Sequence, residues 1–214
     1  MKNRKEPLFF PFTLHSSLFT WAVLAASLLS AGCSILGQKI TEAQTTAWDA
    51  RRARLEQITR FTVQARVSSG LLGAKGSLHW RQRPDDFEMR VSGPLGVNAM
   101  NIAGNEYGVE IRTARESFRT ADPEGLLRER LGWTLPLRQM RWWALGLPAP
   151  SSAAELELDP SGRVLSLEQD GWTLEFDEYQ AAGTIELPRR FELASGEATI
   201  KVVVDAWSDL AGSP

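Results

Sequence analysis

The sequence predicts a mainly β fold: a barrel or strongly curved antiparallel sheet of about ten or eleven strands. Three observations carry this. Apolar and polar residues alternate with period two over many short segments, so each strand has one wet face. The segments follow one another at short spacing, as a meander does. The helical segments are too few and too short to cover a flat sheet of that width, so the sheet must curl around its own apolar side.

The elements follow in order. Thr46, with Asp49 three residues on, resembles a capping box, and Trp48, Arg52, Leu55 and Ile58 then recur at helical spacing. Phe61, Val63, Ala65 and Val67 alternate with Thr62, Gln64, Arg66 and Ser68. Ala74, Gly76, Leu78 and Trp80 alternate with Lys75, Ser77, His79 and Arg81, and Phe87, Met89 and Val91 with Glu88, Arg90 and Ser92. Asp85 and Asp86 follow Pro84 and read as a hairpin turn. Val109 and Ile111 mark a further strand. Asp122-Pro123-Glu124 is a helix start, a capping Asp followed by Pro at the first helical position, and Gly132 is its expected stop. A second helix starts at Pro136 and runs through Arg138, Met140, Trp142 and Trp143 towards Gly146 and Pro148. Strands resume with Leu156 and Leu158, the turn Asp159-Pro160-Ser161-Gly162, then Leu165 and Leu167. Trp172, Leu174 and Phe176 follow, then Phe191 and Leu193 after a solvated start at Arg189 and Arg190, and finally Ala198, Ile200, Val202, Val204 and Ala206. The interior of such a sheet is either packed side chains or a cavity.

The N-terminus has a separate task. Lys2, Arg4 and Lys5 precede an apolar run from Leu18 to Leu29, and Ser30-Ala31-Gly32 leads into Cys33. A basic start, an apolar stretch and small residues at a cut read as a secretory signal. As a membrane span the run is marginal, because spanning takes roughly 20 apolar residues. Cys33 is the chain's only cysteine, so it cannot serve an internal disulfide. Placed directly after the cut, it offers a thiol for lipidation, and Leu29 to Cys33 resembles a lipobox with Ser30 where Leu is commonest. In lipoproteins of Gram-negative bacteria an Asp after the cysteine resembles an inner-membrane retention signal, so Ser34 implies the outer membrane. The expected division is a signal peptide over 1–32, a lipid anchor and tether over 33–44, and one domain over 45–214.

Charge and chemistry exclude several classes. Without residues 1–32 the chain keeps 21 basic and 25 acidic residues, a net charge of −4. That gives no electrostatic footprint for nucleic acid and no polybasic hold on anionic lipid. Beyond the signal, His79 is the one histidine, on the outward side of its strand. No cluster with metal-ligand spacing, no Gly-X-Ser-X-Gly motif and no phosphate loop is present, so neither a cofactor nor an enzyme is expected.

Val91-Ser92-Gly93-Pro94-Leu95-Gly96-Val97 does not fit a packed globule. A strand runs into Gly-Pro, and Gly96 permits positive φ. Leu95 therefore sits at the tip of a turn, where it either folds back onto the core or is held out towards a bilayer or partner.

These stretches, with others, resemble the LolB family of outer-membrane lipoprotein receptors. The matching segments are Ser92-Gly93-Pro94-Leu95-Gly96, Asp122-Pro123-Glu124 with Leu126-Leu127, and Leu135-Pro136-Leu137 with Arg141-Trp142. Gly146-Leu147-Pro148-Ala149-Pro150, Gln169-Asp170-Gly171-Trp172, Leu187-Pro188-Arg189 and Val204-Asp205-Ala206-Trp207 complete the set, in order along the chain. The resemblance implies an open antiparallel β-barrel with a short helical lid over an apolar cavity. It implies a monomeric receptor facing the periplasm that takes acylated lipoproteins from a soluble LolA-like carrier and passes them to outer-membrane lipid. The turn Gly93, Pro94, Leu95 and Gly96 is the expected membrane-insertion loop. Leu78, Trp80, Met89 and Val91, inward on the early strands, are the expected cavity residues. A lipoprotein that binds another apolar ligand in the same barrel, or a subunit of an outer-membrane assembly complex, fits the residues alone as well.

Overall fold

The structure, a computed structural model, describes residues 40–69, 74–96, 99–131, 135–196 and 198–212. The expected signal peptide, Cys33, most of the tether and the helix stop at Gly132 lie outside these residues.

Helix α1 spans Glu42–Glu56. It begins earlier than the Thr46 spacing suggests. Thr41 is the N-cap, and Thr41 and Gln44 form the reciprocal capping box. The Thr46 hydroxyl instead donates back to the Glu42 carbonyl, 3.0 Å away. Strands β1 (Ile58–Ser69), β2 (Ala74–Gln82), β3 (Asp86–Ser92), β4 (Met100–Asn105), β5 (Gly108–Arg112) and β6 (Ser117–Thr120) form one meander. Helices α2 (Pro123–Leu131) and α3 (Leu137–Ala144) follow. A second meander holds β7 (Glu155–Leu158), β8 (Val164–Gln169), β9 (Trp172–Ala182), β10 (Ile185–Ala194) and β11 (Thr199–Gly212). Both helices start where expected. The Asp122 carboxylate accepts from the Gly125 N–H at 3.0 Å, as a cap should. Strands β4 and β6 are additions to the sequence reading. At β10 the strand already begins at Ile185, so Arg189 and Arg190 lie inside it and both pair with Glu178, at 2.8 and 2.9 Å. Pro188 is tolerated there because the register against β9 shifts between Pro188 and Arg190.

All eleven strands make one antiparallel sheet in the order β6-β5-β4-β3-β2-β1-β11-β10-β9-β8-β7. The two meanders are thus joined at the centre, where β1 pairs with β11. The chain must also cross from edge strand β6 to the opposite edge strand β7, and α2 and α3 lie on that crossing. The crossing shows how far the sheet curls. Leu137, at the start of α3, shares a recess of about 40 Å³ with Phe87 of β3 and Val109 of β5. At the other end of α3, the Trp143 ring lies 6.3 Å from that of Trp172 in β9. In a flat sheet β5 and β9 would be roughly 35 Å apart at about 4.8 Å per strand. A helix of eight residues, about 12 Å long, cannot reach between them unless the sheet bends round it.

The core is the inner face of this curl together with the buried sides of the helices. It runs from Phe61, Val63 and Ala65 through Trp80, Met89 and Ile102 on one side and Leu167, Leu174 and Phe191 on the other. Leu127, Leu137, Trp143, Leu145 and Leu147 close it from the crossing segment. Helix α1 adds to this core and lies against the second meander and the crossing segment, where Trp48 and Arg52 share a recess with Trp142 of α3 and Leu156 of β7. Its buried residues are Trp48, Arg51 and Leu55, so Arg51 and not Arg52 turns inward. A side chain at Gly162 would collide with the backbone of Trp48 at 2.5 Å, so this glycine, at φ +75°, lets helix and turn touch. The Arg51 guanidinium donates to the Glu186 carbonyl and lies over Tyr179, with Arg163 over the same ring at 5.3 Å.

Asp159 organises that turn. Burial pushes its carboxyl up, but four donors outweigh burial and hold it below the usual carboxylate range. They are the backbone N–H groups of Ser161 and Arg163, the Ser161 hydroxyl and the Arg163 guanidinium, at 2.7 to 2.9 Å. A carboxyl whose folded pKa is depressed adds stability above its unfolded value, about 4, and that stability is lost as pH falls through the folded value. Asp159→Asn is therefore expected to cost about 1–2 kcal/mol at neutral pH. The gap in melting temperature to the unsubstituted protein should narrow as pH is lowered below about 4. A gap that is constant or widens with acid would refute this role.

Candidate functional site

The four expected cavity residues come together. Leu78 stands opposite Val91 and Trp80 opposite Met89 across the β2–β3 ladder, so they form one block on the inner face. Val63 and Ala65 flank them on β1, and Ile102 and Met100 on β4. Such pairs have side chains roughly 5 Å apart and pack as a unit. Leu78, Trp80 and Met89 are buried in the core cluster, and Val91 is partly buried against it.

Burial is deepest midway along these strands. Val63 and Ala65 on β1, Met89 on β3 and Ile102 on β4 are buried. Val67, Val91 and Met100, nearest the β3–β4 turn, are only partly covered, and so are Phe87 and Gly104 at the other end of β3 and β4. The apolar inner face therefore emerges towards solvent at the ends of these strands, and one of those ends carries Gly93–Gly96.

That turn is held firmly at its base. The Gly96 N–H donates to the Gly93 carbonyl at 3.0 Å, and Pro94–Gly96 form a single 3-10 turn. Gly96 has φ +77°, and nothing lies within 4 Å of where its side chain would be. Gly76 on β2 matters more than the sequence suggests. A Cβ there would meet the Ser92 carbonyl oxygen at 2.5 Å, so only glycine lets the strand end sit against β2. The Ser77 and Ser92 hydroxyls, 2.9 Å apart, add a bond across the same ladder.

The crossing segment is fastened at one end by a residue that sequence reasoning left out of the site. Gln169, 3% exposed, is fully used. Its Oε1 accepts from Trp143 Nε1 and from the Ala149 N–H, both at 2.8 Å. Its Nε2 donates to the carbonyls of Ala149 at 2.8 Å and Ser152 at 2.9 Å. The C-terminal end of α3 and the Pro148–Pro150 stretch are thereby tied to β8. The sequence signals were a polar residue at an inward strand position and its place in the LolB-like segment Gln169-Asp170-Gly171-Trp172. Other polar atoms are buried without a partner: Trp80 Nε1 on the inner face, and Glu124 Oε1, Gln139 Oε1 and Arg141 Nε on α2 and α3. Burial lowers the Arg141 pKa.

The remaining features are poor sites for chemistry. His79 is exposed on the outer face. Among the described residues no three His, Cys, Asp or Glu side chains converge as metal ligands do. A recess of about 660 Å³ at the far end of β3–β6 is lined by Arg83, Glu88, Tyr107, Glu110 and Arg119 together with the inward Phe87 and Val109, and does not include Leu78, Trp80, Met89 or Val91.

Comparison with known proteins decides the family. The family model described as "Outer membrane lipoprotein LolB" matches residues 36–207. The chain belongs to the LolB family. A relative named outer-membrane lipoprotein LolB, from Stutzerimonas stutzeri, is 34% identical over 85% of this chain and 91% of its own length. Another of that name, from Pseudomonas aeruginosa, is 33% identical over 87% of this chain and 93% of its own. Among solved structures, a DUF1329 family protein from Desulfovibrio piger aligns with a TM-score of 0.50 over 81% of this chain and 94% of its own, at 9% identity. That likeness is one of fold alone. It agrees with the mainly β class, and the LolB segments read from the sequence fall within the matched range.

Proposed function

We propose that this chain is a receptor anchored on the outer membrane and facing the periplasm. It accepts lipoproteins from a soluble LolA-like carrier, holds their acyl chains against the inner face of the curled sheet, and inserts them into outer-membrane lipid. The observation that carries the reading is an apolar inner face, covered by a helical crossing segment, that emerges at the Gly93–Gly96 end of a LolB-family fold.

Physics gives the need for such a face. Three acyl chains hold about fifty carbons. At about 0.8 kcal/mol per CH₂, exposing them to water costs roughly 30–40 kcal/mol. Cargo must therefore pass from one apolar surface to another. Transfer without a nucleotide requires each acceptor to hold the chains better than its donor, since only differential affinity shifts such an equilibrium. No bond is made or broken in this scheme, and no catalytic residue or cofactor enters it. In the same reading residues 1–32 are removed, Cys33 is acylated, the segment to residue 44 is a tether, and the receptor works as a monomer. Leu78, Trp80, Met89 and Val91 form one wall of the acyl site, reached when α2 and α3 move off the inner face.

The test is transfer from a carrier loaded with labelled lipoprotein. A Cys33→Ala protein made without the signal is expected to fold and take the label, because acceptance uses the sheet and not the anchor. A photo-crosslinker at Met89 or Val91 should capture the label, and one at the outward Arg90 should not. No uptake, or capture from Arg90 alone, would overturn the reading. Mass spectrometry of the native N-terminal peptide should show an acylated Cys33, and an unmodified cysteine would remove the anchor from the scheme.

A further inference from the structure

We propose that the Trp80 indole N–H donates a hydrogen bond to an acyl ester carbonyl of the bound lipid. The receptor then grips the linkage between chains and headgroup as well as the hydrocarbon. The inference rests on the acyl-binding reading above.

Trp80 is 3% exposed and sits on the inner face between Val63 of β1 and Met89 of β3. Phe61 meets it edge-on, with ring centroids 5.0 Å apart. These neighbours are all apolar. Its Nε1 is buried and has no hydrogen-bond partner. Two other indoles of the fold differ: Trp143 Nε1 donates to Gln169 Oε1 at 2.8 Å, and Trp207 Nε1 to the Pro188 carbonyl at 3.0 Å. A buried indole N–H ordinarily finds an acceptor, because leaving it bare forfeits its hydration without return. The packed state therefore presents a donor that only an incoming molecule can satisfy.

The site limits what that molecule is. It must be apolar enough to replace the core contacts of Leu78, Trp80 and Met89, yet carry an isolated acceptor. An acyl ester carbonyl meets both conditions, as one strongly polar atom set in hydrocarbon. Depth adds a constraint. Trp80 lies opposite Met89, four residues before Gly93, which places it roughly 13 Å below the turn at about 3.3 Å per residue. A chain entering tail-first with its ester left at the rim would offer only methylenes at that depth. The ester is thus drawn inside, past the rim. Ester carbonyls are carried by the diacylglyceryl group of a lipoprotein and by membrane phospholipids alike.

The test uses the Cys33→Ala protein and paired probes. One pair is a synthetic cysteinyl lipopeptide with two palmitoyl esters and its dialkyl ether analogue. The other is phosphatidylethanolamine in ester and ether forms. The unsubstituted site is expected to bind the ester lipopeptide about five to ten times more tightly than the ether, the worth of one hydrogen bond. In Trp80→Phe that preference should vanish, with ester affinity falling to the ether value. The carbonyl stretch of a ¹³C-labelled ester should move to lower frequency on binding to the Trp80 protein and stay unmoved in the Phe variant. Benzothienylalanine at position 80, which keeps both rings and lacks the N–H, gives the same comparison if Trp80→Phe folds poorly. An ester preference confined to the lipopeptide assigns the donor to cargo, and one shared by the phospholipid assigns it to acyl esters in general. Equal affinity of the Trp80 protein for esters and ethers, or a preference that survives loss of the N–H, overturns the proposal while leaving the acyl site standing. Failure of every probe to bind would instead remove the acyl site itself.

Discussion

Leu95→Glu is expected to fold, to accept cargo from the carrier, and to fail at delivery, so that labelled lipoprotein accumulates on the receptor. The turn that carries Leu95 follows a partly covered end of the inner face, and the Gly93–Gly96 backbone bond closes its 3-10 geometry. One leucine entering a bilayer gains about 1.5–3 kcal/mol. That is far too little to drive three chains across. It suffices to seat the open end of the sheet on the membrane and loosen lipid packing where the chains leave. A carboxylate reverses that preference, while Leu95→Phe or Leu95→Ile keeps the apolar area and should keep delivery. Vesicle transfer assays that follow uptake and release separately would show the split. A Glu variant that delivers at the normal rate sinks the insertion role, and one that melts several degrees lower places Leu95 in the core instead.

The largest loss of stability is expected from Gln169→Leu. The substitution keeps side-chain bulk but strands the buried Trp143 N–H and Ala149 N–H, and takes a donor from the buried Ala149 carbonyl and from the carbonyl of the exposed Ser152. Unmet buried groups cost about 1–3 kcal/mol each. Allowing for partial relaxation, about 3–4 kcal/mol and a fall of roughly 10 °C in melting temperature are expected. The loss should be uneven. Hydrogen exchange ought to speed up in α3 and the Pro148–Pro150 stretch more than in β1 or β11, because the glutamine ties that segment down and supports little else. A uniform increase, or a change in melting temperature under about 2 °C, would show that the tie is redundant.

Much of the fold was legible because one physical rule generates it. Strands with a single wet face show that face in their sequence, and β1, β2, β3 and β9 do so plainly. Where a strand has too little inward surface to leave a pattern, it went unread. In β4 the inward series is Met100, Ile102 and Gly104, and in the edge strand β6 Phe118 is the only large apolar residue. The start of α1 was misplaced for another reason. Thr41 and Thr46 both have plausible partners three residues on, and local rules do not choose between them. Tertiary contact chooses: with the helix begun at Glu42, Gln44 Nε2 reaches the Leu158 carbonyl at 2.9 Å. Arg51 is hidden from sequence reading for the same reason, since its carbonyl partner lies 135 residues away. At the site, the block of Leu78, Trp80, Met89 and Val91 followed from alternation alone. The tie at Gln169 and the close approach at Gly76 did not, because both depend on segments brought together only by the completed curl.

The central seam between β1 and β11 bears on how the molecule assembles. The register pairs Val63 with Trp207 and Ser69 with Ile200, so the middle of the sheet is built from two segments more than 130 residues apart in sequence. Contacts of such long separation come late and slowly, since the entropy of closing the loop is lost before the pairing rewards it. The first meander can form its local hairpins early, but β1 keeps one open edge until the last strand arrives. Throughout that interval the apolar inner face is uncovered and the edge is free to pair with another chain. Such species aggregate readily. The apolar face that the finished curl covers is thus a hazard to the unfinished chain.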